Sequence, residues 1–106
     1  MQGFFVERES IFRRVAMTFK NGAGLSAIWG YGSYSDNRDA DDQAVPDSCA
    51  NAEVMLLIDG SCRFSPIGWV EPERVANLLA MLANAPDKDA AIKLWKDATG
   101  QEEVEE

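Results

Sequence analysis

The sequence predicts an α+β domain: an antiparallel sheet of about four strands, arranged as two hairpins, with two C-terminal helices packed on one face. Three observations carry this. Alternating apolar segments flank Asn21-Gly22, a short run rich in Val, Leu and Ile ends at Asp59-Gly60, and from Pro72 onward the apolar residues adopt helical spacing. Strands first and helices afterwards is the order expected of a sheet covered on one side.

In chain order, residues 2–12 place Phe4, Phe5, Val6, Ile11 and Phe12 around Glu7, Arg8, Glu9 and Ser10. The pattern fits an edge strand, a short helical turn or an arm laid over the core. Burying three phenylalanines is worth several kcal/mol at about 25 cal/mol per Å². The segment is therefore expected to be docked, on its own chain or on another.

Asn-Gly between alternating apolar runs is a strong hairpin signal, because both residues tolerate positive φ. Two registers compete. A two-residue turn would place Met17 opposite Ser26 and mix the faces. A three-residue loop, Lys20 to Gly22 with Gly22 left-handed in a bulge, pairs Phe19 with Ala23, Met17 with Leu25 and Val15 with Ala27. The second gives one apolar face of Val15, Met17, Phe19, Leu25, Ala27 and Trp29, and is preferred because a one-residue slip would exchange the faces of a whole strand.

After Trp29, Gly30 and Gly32 alternate with Tyr31 and leave the sheet for a long irregular connection through residue 51. Ala52–Ile58 is expected to be a central strand buried on both faces. Asp59-Gly60 turns it into a returning strand, Ser61 to Ser65, that carries Cys62 and Phe64 and ends at Pro66 and Gly68. Pro72 opens a helix with Val75, Leu78, Leu79 and Leu82 on one face, ending near Asn84. Pro86 opens a second, with Ala91, Leu94, Trp95 and Ala98 inward and Gly100 as its left-handed stop.

Composition limits the function. The chain has 106 residues, 46% hydrophobic and 26% charged, which fits a single domain over residues 1–100 with a disordered acidic tail at 101–106. Ten basic residues against eighteen acidic ones give a net charge of -8, with no histidine. Such a field disfavours direct binding to nucleic acid or anionic membrane and favours encounter with a basic protein. The opening MQGFFVERESIFRR lacks the basic start and unbroken apolar core of a signal peptide, and no stretch reaches membrane-spanning length. The expected location is the cytoplasm, with Cys49 and Cys62 as free thiols and Cys62 as core filler.

Phe19, Asn21-Gly22, Ser26, Gly30, Gly32, Tyr34, Asn37 and Arg38 spell F-x-N-G-x-x-x-S-x-x-x-G-x-G-x-Y-x-x-N-R. They are followed by Ala52-Glu53-Val54 and by Gly68-Trp69-Val70-Glu71-Pro72-Glu73-Arg74-Val75. Over residues 19–82 this resembles a family of small uncharacterised proteins of bacteriophages and prophages. Relatives often carry Cys where this chain has Ser35, and a polar residue where it has Ile28. The resemblance implies a phage or prophage origin, in a bacterial host cytoplasm, and no mechanism.

No motif here predicts catalysis or a cofactor. Gly30-x-Gly32 lacks the third glycine and the following helix of a dinucleotide fingerprint, and the Gly-Lys-Ser/Thr of a P-loop. Asp36, Asn37, Asp39, Asp41 and Asp42 are rich in oxygen, but Arg38 and Ala40 stand where an EF-hand needs ligands, so a solvated acidic loop is expected rather than a calcium site. Without histidine, the common general base for a Cys or Ser nucleophile is missing. The remaining candidates are contact residues, since Tyr and Trp supply large anchors at low entropy cost. The predicted partner-binding set is Tyr31, Tyr34, Asp36, Asn37, Arg38, Asp39, Asp41, Asp42 and Trp69. The expected function is an accessory protein that binds a basic host or phage protein, inhibiting a partner that handles nucleic acid. Homodimerisation through the N-terminal apolar arm is the first alternative, and an enzyme of unrecognised type the second.

Overall fold

The computed structural model describes residues 2–8, 12–30, 33–36, 38, 39 and 46–102. Among the described residues six strands and two helices follow one another: β1 (Gly3–Arg8), β2 (Phe12–Thr18), β3 (Ala23–Gly30), β4 (Ala52–Ile58), β5 (Ser61–Cys62), β6 (Ile67–Val70), α1 (Pro72–Ala83) and α2 (Lys88–Thr99). The sheet is antiparallel in the order β1-β2-β3-β4-β5, and β6 also pairs with β4. The fold is α+β, with the helices at the C-terminal end.

The β2–β3 hairpin has the three-residue loop. Phe19 N–H donates to Ala23 O at 2.8 Å, Gly22 N–H donates to Phe19 O at 3.0 Å, and Gly22 sits at φ 91°. Met17 therefore faces Leu25 and Val15 faces Ala27. Leu25 is buried, and Phe19, Ala27 and Trp29 pack against the core formed with Val54, Leu56, Ile58, Leu78, Leu82 and Trp95. The turn also ties the helices down, because the Asn21 side-chain amide donates 2.8 Å bonds to both Leu82 O and Ala85 O. These carbonyls lie at the C-terminal end of α1, where intrahelical donors run out.

Several elements differ from expectation. Residues 3–8 form an edge strand paired along its whole length with β2, so the backbone is docked. The side chains of Phe4 and Val6 are not: Phe4 is 78% exposed and Val6 69%. The returning strand after Asp59-Gly60 shrinks to Ser61–Cys62, and Cys62 is exposed rather than core filler; both cysteines are free thiols. Phe64 alone of that segment reaches the core, where it meets Trp95 at 6.4 Å between ring centroids. The chain then resumes pairing with β4 through β6, past Pro66, which the sequence reading took as a terminator.

α1 starts at Pro72 and ends beside Asn84, with Leu78 and Leu82 buried. α2 begins two residues later than expected. Asp87 is its N-cap, accepting a hydrogen bond from Ala90 N–H, so Pro86 precedes the helix instead of opening it. Its inner face is Ala91, Ile92 and Trp95, while Leu94 and Ala98 point to solvent. Gly100 closes it at φ 73°, as a left-handed stop should. Gln101, assigned to the tail from sequence, is held in place: it accepts from Trp95 Nε1 at 2.8 Å and donates to Ser65 O at 2.6 Å. Residues 103–106, the remainder of the expected tail apart from Glu102, lie outside the described residues. No described helix is long and apolar enough to cross a membrane.

Candidate functional site

Residues 33–36, in the loop that follows β3, meet β6 through the bond from Trp69 N–H to Tyr34 O. These residues alternate: Ser33 and Ser35 are buried, Tyr34 and Asp36 exposed. The buried hydroxyls fix the path. Ser33 Oγ donates to Gly30 O at 2.9 Å and shares a 2.8 Å bond with Ser35 Oγ. Asp36 N–H donates to Asn51 Oδ1 at 2.8 Å, anchoring the loop to the segment that enters β4. With every second side chain satisfied inward, Tyr34 is turned out.

β6 supplies the other half. Ala52 pairs with Val70 and Val54 with Ile67, so Gly68 and Trp69 together oppose the single residue Glu53. This is a β-bulge, a device that bends a strand and re-aims a side chain. Trp69 takes the left-handed conformation, φ 52°, which is unusual for a bulky residue and costs on the order of 1–3 kcal/mol. Its N–H donates to Tyr34 O at 2.8 Å. Gly68 is needed because a Cβ there would come within 2.6 Å of Tyr34 Cβ.

The result is a surface cluster of three side chains. The Tyr34 and Trp69 rings lie 5.7 Å apart with a 32° tilt, and the Arg38 guanidinium carbon stands 5.2 Å from the Tyr34 centroid. Tyr34 is 40% exposed and Trp69 50%. Carboxylates flank the aromatic pair along the chain: Asp36 and Asp39 after Tyr34, Glu71 after Trp69, and Glu53, whose Oε2 accepts from Tyr34 N–H at 3.4 Å. Arg38 thus uses the Tyr34 face.

The structure brings together Tyr34, Arg38 and Trp69 from the predicted set, and leaves the Asp36 and Asp39 side chains exposed beside them. Tyr31, Asn37, Asp41 and Asp42 lie outside the described residues. Among the described residues no three His, Cys, Asp or Glu side chains converge as metal ligands. Sequence reasoning missed the supporting residues Ser33, Ser35, Asn51 and Gly68. The alternation of Ser and Tyr over 33–35, and a glycine directly before Trp69, were the available signals.

The far end of the same connection is tied to the opposite side of the sheet. Arg13 Nε donates to Asp47 Oδ1 at 2.8 Å, Arg8 Nη2 contacts Asp47 Oδ2 at 3.1 Å, and Trp29 Nε1 donates to Pro46 O at 3.0 Å. The hydrogen bond from Arg13, followed by the charge of Arg8, holds the Asp47 carboxyl below the usual aspartate value of 3.8.

Compared with known proteins, the chain matches no family model, no curated protein and no solved structure.

Proposed function

We propose that this chain is a binding protein rather than an enzyme, and that Tyr34, Trp69 and Arg38 form the centre of its contact surface. The observation that carries the reading is Trp69: a large aromatic side chain held half in water on a backbone conformation that disfavours it. A strained residue persists where its surroundings over-determine it, and such positions concentrate at functional sites. Exposed Tyr and Trp beside an Arg are also the residue types that dominate binding hot spots.

The partner that fits is a protein with a basic surface. The net charge of -8 steers such a partner toward the chain, and Asp36, Asp39, Glu53 and Glu71 give its cations local acceptors around the aromatic pair. In keeping with the resemblance to phage and prophage proteins, we place it in a bacterial host cytoplasm, as an accessory factor that occludes a protein handling nucleic acid. A basic nucleic-acid channel is the kind of surface an acidic patch with aromatic anchors would block.

The test is affinity capture from bacterial lysate with the full chain and with the Tyr34→Ala/Trp69→Ala double variant. A host protein of basic surface should be retained by the former, lost with the latter, and released as salt is raised. Equal retention by the double variant would overturn the assignment.

A further inference from the structure

We infer that the outer edge of β1 is a self-association surface, completed by β1 of a second copy of this chain around a two-fold axis at Phe5.

Among the described residues β1 is the terminal strand of the sheet, regular over all six residues and without a bulge. Edge strands of monomeric proteins are guarded by proline, bulges or charges that interrupt the strand. Gly3–Arg8 has none of these in its first four positions, Gly-Phe-Phe-Val; its charges are the last two residues. The hydrogen-bond alternation starts at the Phe19–Ala23 pair, so the odd-numbered amides of β2 turn toward β3 and the even-numbered ones toward β1. Gly3, Phe5 and Glu7 pair with even-numbered β2 residues. Their backbone groups therefore point inward, and those of Phe4, Val6 and Arg8 point out from the edge.

The side chains of Phe4 and Val6 share the helix-bearing face of the sheet, in line with Met17 and Val15. The helices do not reach them. Between Phe4, Met17 and Phe19 on one side and Ala83 and Pro86 on the other lies a cleft of about 510 Å³. At about 25 cal/mol per Å², these exposed apolar side chains represent stabilisation that the single chain leaves unused.

Self-complementarity selects the occupant. Antiparallel pairing of two β1 strands about Phe5 puts Phe4 opposite Val6 of the other copy, and Val6 opposite its Phe4, as hydrogen-bonded pairs. Phe5 meets its own symmetry mate as a non-hydrogen-bonded pair, where side chains approach closest and aromatic pairs are favourable. Glu7 falls opposite Gly3 and Arg8 opposite Gln2, so no like charges face each other directly. Centring on Val6 instead would oppose Phe4 to Arg8. Charge distribution also favours this region. The first twenty residues hold four basic and two acidic side chains, and the rest of the chain six basic and sixteen acidic. Two acidic molecules can approach here with least repulsion, and added salt should strengthen the pairing.

Sedimentation equilibrium of the full chain tests this. The expected mass is twice 11.7 kDa, with affinity rising as salt is added. Val6→Lys should weaken association by about tenfold or more, while Leu94→Lys on the exposed side of α2 should leave it unchanged. Register is tested in a Cys49→Ser/Cys62→Ser background with copper-phenanthroline as oxidant. Phe5→Cys should cross-link to itself, and Glu7→Cys alone should not. A monomer at every concentration, a dimer indifferent to Val6→Lys, or cross-linking through Glu7→Cys but not Phe5→Cys would overturn the inference. If Val6→Lys fails to fold, the Phe5→Cys cross-link decides by itself.

Discussion

Asn21 Nδ2 lies 2.8 Å from Leu82 O, so the turn of the β2–β3 hairpin caps the end of a helix 61 residues further along the chain. The same amide group also binds Ala85 O, and its Oδ1 accepts from Ala23 N–H at 2.9 Å. One side chain thus serves two elements.

Removing it should be costly. Asn21→Ala leaves part-buried carbonyls without that donor and is expected to destabilise by about 1–3 kcal/mol in urea unfolding. Asn21→Asp should cost at least as much, because a carboxylate would face two carbonyl oxygens. A change within experimental error for both would mean that water replaces the amide at no loss.

The left-handed backbone at Trp69 has its own signature. Trp69→Gly should be more stable than Trp69→Ala by about 1 kcal/mol, since an L side chain is disfavoured there and glycine is not. This reverses the ordinary order within strands. If alanine equals or exceeds glycine in urea unfolding, the strain assigned to the bulge is absent.

Asp47 predicts a pH dependence. Its folded pKa is lowered by the Arg13 hydrogen bond and then by the Arg8 charge, so its contribution to stability is fully present above the ordinary value of 3.8. It is lost as pH falls through the depressed folded value. The Trp29 indole N–H, bonded to Pro46 O beside it, provides a probe: its NMR shift should titrate with a midpoint below 3.8, and Asp47→Asn should abolish that transition.

Gln101 tests where the folded domain ends. Gln101→Ala leaves Trp95 Nε1, on a fully buried side chain, without its acceptor and should cost about 1–3 kcal/mol. Glu102→Ala, one residue beyond and exposed, should be neutral. Equal effects would put the boundary at Gly100 after all.

The parts legible in the sequence are those where two local signals agree. At Asn21-Gly22 the turn chemistry and the requirement for one apolar face select the same register. At Gly100 the end of the apolar pattern coincides with a glycine. Where signals conflicted, the reading failed. Pro66 and Gly68 resemble strand terminators, yet Gly68 is the residue that lets a bulged strand pass Tyr34. On α2, Leu94 and Ala98 or Ile92 and Thr99 satisfy helical spacing equally well around Trp95, and only the direction of approach to the sheet decides between them. Tyr34 and Trp69 were recognisable as contact residues. Their adjacency was not, because it depends on two buried serines and a backbone bond between distant segments.

The fastening of Asn21 to Leu82 and Ala85, with Asp59 N–H donating to Gly22 O and Lys88 bonded to Asp59, also sets a timetable for biosynthesis. During translation the β2–β3 ribbon leaves the ribosome long before the residues that secure its turn have been made. Until residues 82–88 have been made, the nascent chain carries that bend unfinished, with its greasy side waiting for helices that do not yet exist.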